Sequence, residues 1–345
     1  MKYIASHKKH ILQFIKPSRT SRGEIKTHTV YYIILQHGNK IAWAEAAPLI
    51  GLSIDAVENI EQKIHQFCLQ INDGVHPFQL DLEKFPSVRF AFESALKELE
   101  NDQQHIVFNT DFIKGSKIPI NGLVWMNTKE EMLKQAFDKI ESGFNCIKLK
   151  VGAIDFDEEC RMLEAIRKKY SSFKIEMRLD ANGAFKNDEA LHQLKELSRF
   201  NIHSIEQPIK PKQIDLMQEL CKKSTIAIAL DEELIGVNIE RDGKKLLQHI
   251  NPQFIILKPT LIGGFLYCEK WIQFATEMNI GWWATSALES NIGLNAIAQW
   301  TSSLDTNLPQ GLGTGGLYSN NISSPLVVKN GFLFYDVNKL WSNTL

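Results

Sequence analysis

One regularity limits what this chain can fold into more than any other. From about residue 118 onward, short apolar runs alternate with amphipathic segments, and most of the runs end on a charge. The runs lie at 118–126, 146–152, 174–183, 202–208, 226–233, 254–260 and 280–287, with a weaker GLGTG at 311–315. Between them stand helical patterns such as TKEEMLKQAFDKIESG at 128–143 and DEECRMLEAIRKKY at 157–170. Seven strand-to-helix steps and a last short strand predict an α/β fold, a (β/α)7β TIM-like barrel ringed by helices. A doubly wound open sheet is the alternative, but it needs fewer strands and usually a phosphate loop after the first. No G-x-G-x-x-G follows the first run here.

The first third reads differently. Residues 27–47 form a hairpin pattern, TVYYIIL and IAWAEA joined by His37-Gly38-Asn39-Lys40, and are followed by helical stretches at 54–69 and 88–99. Strands followed by helices, without alternation, predict an α+β capping domain over 1–115. The tail VVKNGFLFYDV reads as a hairpin that rejoins it, so 320–345 completes the cap and 116–319 is the barrel. The amino-terminal MKYIASHKKHILQFIK is interrupted by Lys8, Lys9 and His10 and lacks the apolar core of a secretory signal. No run of 18 apolar residues predicts a membrane span. With 39 basic and 40 acidic side chains, the chain carries no electrostatic footprint for nucleic acid or an anionic membrane. Cys68, Cys146, Cys160, Cys221 and Cys268 are odd in number and form no C-x-x-C. They read as reduced thiols of a cytoplasmic protein.

The charges carry the chemistry. Lys148 and Lys150 end the second run, Arg178, Asp180 and Asn182 the third, Glu206 the fourth, Asp231 the fifth and Lys258 the sixth. The steps Asp180 to Glu206, Glu206 to Asp231 and Asp231 to Lys258 are 26, 25 and 27 residues. Each is about one β/α unit, so one height on successive strands is charged every time. In a barrel that height is the carboxyl-terminal face, where active sites are built. Side chains at i and i+2 share a strand face, so Lys148 points with Lys150, and Arg178 with Asp180 and Asn182. Unpaired buried charge costs several kcal/mol in order of magnitude. Three carboxylates on adjacent strands therefore call for a cation, and an all-oxygen set suits Mg2+. A single acid at a strand end is ordinarily a helix cap or a surface ion pair, and Glu206 before Gln-Pro alone would be a turn. Registered charges on five strands are not explained that way.

K-x-K (148–150), R-L-D-A-N (178–182), E-Q-P (206–208), A-L-D-E (229–232), L-K-P-x-x-x-G-G (257–264) and S-A-L-E-S (286–290) resemble the muconate-lactonising subgroup of the enolase superfamily. Within it they are most similar to the o-succinylbenzoate synthases. W-A-E-A-A-P-L-x-G-L-S (43–53) resembles the segment where the family's cap closes over the barrel. The resemblance implies metal ligands at Asp180, Glu206 and Asp231, binding Mg2+ with Mn2+ as a substitute, and acid/base lysines at Lys150 and Lys258. It implies a syn dehydration of 2-succinyl-6-hydroxy-2,4-cyclohexadiene-1-carboxylate through an ene-diolate, in menaquinone biosynthesis. Lys150 takes the proton and assists hydroxyl departure on the same face, and Lys258 stabilises the anion from the other. The base has to be an uncharged amine, which neighbouring positive charge such as Lys148 and the metal favours. Asn182 and Glu232 read as groups orienting ligands and lysines, and Lys148 and Arg178 as residues behind the ligands or beside substrate. Ser286 and Ser290 lie either beside substrate or in turn and N-cap roles. GLGTG offers backbone N–H groups to an anion. Arg19 and Arg22, in the turn-rich segment 17–24, read as solvated loop charges or as a lid meeting a substrate carboxylate.

Other chemistries find no motif. The histidines show no zinc spacing, no G-x-S-x-G triad is legible, and Trp282 and Trp283 read as packing, with a pocket-lining place for one of them as the alternative. The rival activities on the same scaffold are N-acylamino acid racemisation and dipeptide epimerisation. Epimerases usually carry an acidic D-x-D where this chain has GLGTG. A metal-free Schiff-base aldolase would leave three carboxylates without purpose. The expected partner is a small carboxylate substrate, and the sequence leaves the oligomeric state open.

Overall fold

The computed structural model describes residues 2–20, 23–304 and 306–342. It opens with an antiparallel sheet of β1 (Tyr3–Thr20), β2 (Gly23–His37) and β3 (Lys40–Ala46), in that order. Helices α1 (Ile60–Asn72) and α2 (Pro86–Leu99) pack on it. The expected β2–β3 hairpin is present. The helix expected from residue 54 starts later, because Asp55 accepts hydrogen bonds from the Ser87 N–H and hydroxyl at 2.8 and 2.6 Å, which holds a turn there. β1 was not anticipated.

After β4 (Lys117–Pro119) the barrel alternates strand and helix, with a short extra helix α8 after β10: β5 (Gly122–Val124), α3 (Lys129–Glu141), β6 (Cys146–Lys150), α4 (Phe156–Lys169), β7 (Glu176–Asp180), α5 (Ala190–Ser198), β8 (Ser204–Glu206), α6 (Ile214–Lys223), β9 (Ala227–Leu230), α7 (Lys244–Ile250), β10 (Phe254–Leu257), α8 (Pro259–Ile262), α9 (Phe265–Glu277), β11 (Gly281–Ala284) and α10 (Asn291–Ser302). Local chemistry sets these ends. Asp155 caps α4 by accepting from the Asp157 and Glu158 N–H groups, with acids in the first turn and bases in the last, as the helix dipole favours. The strands β5 to β11 form one parallel sheet in sequence order. It closes through single bridges, Ile120 to Gln310 and Thr285 to Gly311. The eighth strand expected at 311–315 is thus reduced to Gln310 and Gly311, whose backbone bonds both neighbours. Among the described residues no helix is long and apolar enough to cross a membrane.

The tail splits. Its hairpin, β12 (Leu326–Lys329) and β13 (Phe332–Tyr335), adds to β4 and not to the three-stranded sheet. The segment that reaches that sheet comes just before it: Ile15 N–H donates to the Leu317 carbonyl and Ser319 N–H to the Gln13 carbonyl, both at 2.9 Å. The reason is the free edge of β1, which offers unpaired backbone groups there.

Two buried carboxylates join sheet and barrel. Glu45 on β3 accepts from Ser290 N–H, Gly293 N–H and the Ser290 hydroxyl, at the start of α10. Glu93 on α2 accepts from Phe265 and Leu266 N–H at the start of α9. Each satisfies amides that a helix start leaves unpaired. A Cβ on Gly264 would lie 2.3 Å from Glu93 Oε2, so glycine is required there. Burial, opposed by those N–H donors, pushes the Glu93 carboxyl up to about 7. A group whose folded value exceeds its unfolded one of about 4.3 stabilises fully below the unfolded value. That stability is lost as pH rises through the folded one. Glu93→Gln removes this titration. The wild type should therefore lose melting temperature relative to the variant between pH 5 and pH 8, and a difference independent of pH would contradict the assignment.

Candidate active site

The register of the parallel strands places the charges. Lys150 on β6, Asp180 on β7 and Glu206 on β8 are directly paired neighbours. Glu206 then pairs with Ala229, and Ala229 with Phe254, so Asp231 stands two residues beyond that row and Lys258 four. The expectation of one uniform row is corrected to a staircase. Closing a sheet of tilted strands demands such a stagger, and it carries the last two groups back to the same mouth. Alternation turns all of them inward, while Ile147, Leu149 and Leu179 point into the outer core.

The lysines and carboxylates interleave. Lys148 Nζ lies 2.7 Å from Glu206 Oε2 and 3.0 Å from Asp180 Oδ2. Lys150 Nζ lies 2.7 Å from Asp180 Oδ2 and donates to Asn182 Oδ1 at 2.6 Å. Lys258 donates to Asp231. Asn182 Nδ2 in turn donates to Glu232 Oε1 at 3.0 Å. The chain thus runs from Lys150 through Asn182 to Glu232.

Electrostatics follow from this crowding. Burial opposes ionisation of Asp180, yet Lys148, Lys150 and Lys258 together hold its carboxyl far below the usual range. Glu206 is fully buried, and burial together with Asp180 and Asp231 pushes it up to about 7 against the pull of Lys148 and Lys258. Burial also opposes the charge on Lys148 and Lys258, but the surrounding carboxylates keep both ammonium groups favoured.

The donor set fits a divalent cation. One oxygen from each of Asp180, Glu206 and Asp231 lies within 4.8 Å of the others. Glu206 Oε1 is buried and has no hydrogen-bond partner among the described residues, the orphan that an ion would satisfy. An all-oxygen set of three carboxylates suits Mg2+.

Above this floor opens a cavity of about 710 Å3, a size suited to a small organic acid. Its floor carries Lys148, Lys150, Asp180, Asn182 and Lys258, its cap side Leu49 and Leu52, and its far wall Leu123, Trp125 and Ser286.

Several residues sit differently from expectation. Arg178 lies one layer down in the barrel, its guanidinium 4.2 Å from the Trp283 ring centroid and bonded to Glu176 and the Pro309 carbonyl. It does not line the cavity. Trp283 is packing, as expected, and Trp282 is half-buried. Ser290 is the N-cap of α10, accepting from Ile292 N–H and donating to Glu45, and does not face the cavity. Ser286 does face it, but its hydroxyl donates to Glu289 and accepts from Thr314 and Leu288 N–H. The lid expectation for Arg22 and for the Arg19 side chain lies outside the described residues. Glu289 was missed. It accepts from Thr260, Ser286 and Ala287 N–H, tying the loops after β10 and β11. The signals were an acid inside an otherwise apolar and small-residue turn and its place in the S-A-L-E-S motif.

Comparison with known proteins matches residues 131–336 to the family described as enolase C-terminal domain-like, and residues 19–99 to the MenC amino-terminal domain. The chain is 42% identical to an o-succinylbenzoate synthase of Desulfotalea psychrophila, over 95% of this chain and 98% of that one. The crystal structure of MenC from Desulfotalea psychrophila superposes with a TM-score of 0.87 at 38% identity, covering 97% of this chain and all of that one. A substrate-liganded L-Ala-D/L-Glu epimerase of Bacillus subtilis superposes with a TM-score of 0.85 at 20% identity, over 97% of this chain and 96% of that one. That last likeness speaks for the fold alone.

Proposed function

Because the chain belongs to the enolase superfamily and, within it, to the o-succinylbenzoate synthase family, we propose that this cavity dehydrates 2-succinyl-6-hydroxy-2,4-cyclohexadiene-1-carboxylate to 2-succinylbenzoate, a step of menaquinone biosynthesis. The observation that carries the reading is the interleaving of three buried carboxylates with lysines from β6 and from the end of β10.

A proton beside a carboxylate is a very weak acid, because its removal puts a second negative charge on that group. Mg2+ held by Asp180, Glu206 and Asp231 would supply the positive charge that offsets it; Mn2+ offers the same hard-oxygen chemistry. Lys150, as the free amine, takes the ring proton next to the carboxylate. Asn182 orients Lys150 by accepting from it, and Glu232 holds Asn182. The same Lys150, now ammonium, gives its proton to the departing hydroxyl on that face. Water leaves, the ring becomes aromatic, and Lys150 returns to its starting state. Lys258 stays ammonium and faces the developing ene-diolate from the other side. Lys148 bridges Asp180 and Glu206 and spaces the two carboxylates.

Apolar groups at Leu49, Leu52, Leu123 and Trp125 keep water from the ring. The division of labour is a cap, 1–115 with 320–345, over a barrel, 116–319. Asn320, whose side chain accepts from Gln13 N–H and donates to the Ile11 carbonyl, supports the return of the tail to the cap, whereas 317–319 joins β1 from within the barrel range and the 326–335 hairpin pairs with β4. Five buried unpaired cysteines fit a reducing cytoplasm.

The test is to supply the cyclohexadiene acid and follow appearance of the aromatic product. An N-acylamino acid and a dipeptide run in parallel in deuterated water report racemisation. The reading requires turnover of the first substrate to exceed exchange of the other two. Lys258→Ala should lower kcat by about 10^2- to 10^3-fold, the range for loss of one preorganised electrostatic group, with little change in KM. An unchanged kcat would remove Lys258 from the mechanism.

A further inference from the structure

We propose that Gln207 is the positioning residue of the metal centre, a single side chain that fixes the three ligand-bearing strand ends relative to one another. The inference rests on the metal-site reading above and concerns a residue with no contact to substrate. Gln207 follows Glu206 directly and is fully buried. Its backbone spans the neighbours: Gly183 N–H, in the loop after Asp180, donates to the Gln207 carbonyl at 2.7 Å, and Gln207 N–H donates to the Ala229 carbonyl at 2.9 Å.

Its amide completes the tie. Oε1 accepts from Asp231 N–H at 3.3 Å and from Glu233 N–H at 3.2 Å. Nε2 donates to the Ile209 carbonyl at 3.0 Å and to Glu233 Oε2 at 3.1 Å. One residue therefore touches the loop after Asp180, carries Glu206 on its own backbone, and holds the amide of Asp231.

The backbone argues the same way. Gln207 has φ of +40°, the left-handed region that a glutamine enters only when its surroundings demand it. That turn is what lets Glu206 point to the mouth while the next side chain reaches the turn after β9. Glutamine alone suits the place. A carboxylate there would lose the Nε2 donor and face Glu233, and a shorter amide would not reach the two N–H groups in the turn after β9.

A buried amide with four side-chain hydrogen bonds also stabilises the fold, so the test separates the two roles. Gln299 is the control. It is buried, accepts from Val107 and Phe108 N–H, donates to the His105 carbonyl and Asn295, and lies on α10 away from the carboxylates. Gln207→Met and Gln299→Met are compared with wild type by calorimetric titration of Mg2+ into chelator-stripped protein, with melting temperatures measured alongside. Both variants should melt lower. Only Gln207→Met should raise the Mg2+ Kd, by about 10- to 100-fold, as expected for loss of a group that orients a metal ligand.

A folded Gln207→Met with Kd within twofold of wild type, or an equal rise in both variants, overturns the proposal. Should the methionine variant not fold, Gln207→Asn reads the same quantity, with a several-fold rise expected and a wild-type Kd overturning. Failure of wild type to bind Mg2+ would instead remove the metal-site reading itself, and this proposal with it.

Discussion

Lys150→Ala is expected to lose at least about 10^4-fold in kcat while leaving KM nearly unchanged. A positioned acid or base contributes roughly 10^2 to 10^4, and Lys150 is used twice in one turnover, first to take the carbon proton and then to release the hydroxyl. The other two lysines of the cavity floor are already engaged by carboxylates. Lys148 is committed between Glu206 and Asp180 at 2.7 and 3.0 Å, and Lys258 is committed to Asp231. The variant should still fold, because the Lys150 head group reaches into the cavity and its loss opens no core void. Substrate should still exchange no ring proton with deuterated solvent. If the variant turned over at close to the wild-type rate, the base would have to be another residue.

Removal of the divalent ion is the second large effect. Chelated and dialysed protein should show no measurable turnover, and Mg2+ or Mn2+ should restore it. The structure shows why a cation would suit the site beyond its lysines. Glu206 keeps a buried oxygen without a donor among the described residues, and burial among like charges pushes its carboxyl up to about 7. Electrostatic offset of the developing dianion is then missing where it is needed most. Protonation of Glu206 competes with the ion, so Mg2+ should bind more weakly as pH falls below 7. Full turnover of the stripped enzyme would reject the scheme.

The barrel was legible because its strands advertise themselves twice, as apolar runs and as charges one β/α unit apart. All seven sheet strands fall within the expected runs. The eighth was legible only as a glycine-rich segment, since two residues of backbone bridging leave no side-chain pattern. β1 was illegible for a physical reason. Its Ala5 packs in the core with α1 and α2, while Leu12 and Phe14, on the opposite face, pack against Leu288 and Tyr318. A strand that buries different faces at its two ends shows no single alternation, and Lys8, Lys9 and His10 at the changeover read as a break. Strand parity foretold that Lys148 and Lys150 share one strand face, as do Arg178, Asp180 and Asn182 on theirs, while the proposed ligand and lysine roles came from the family resemblance. Glu289 and Gln207 could not be assigned, because their roles lie in hydrogen bonds between loops far apart in sequence. Arg178 was assigned to the right face but one layer too high, since parity gives direction and not depth.

The most direct measurement is a crystal structure of the chain with Mg2+ and 2-succinylbenzoate. The account predicts one ion bound by Asp180, Glu206 and Asp231 at about 2.1 Å, the ring carboxylate beside it, and the Lys150 and Lys258 ammonium groups on opposite faces of the ring. An ion bound elsewhere, or both lysines on one face, would contradict it.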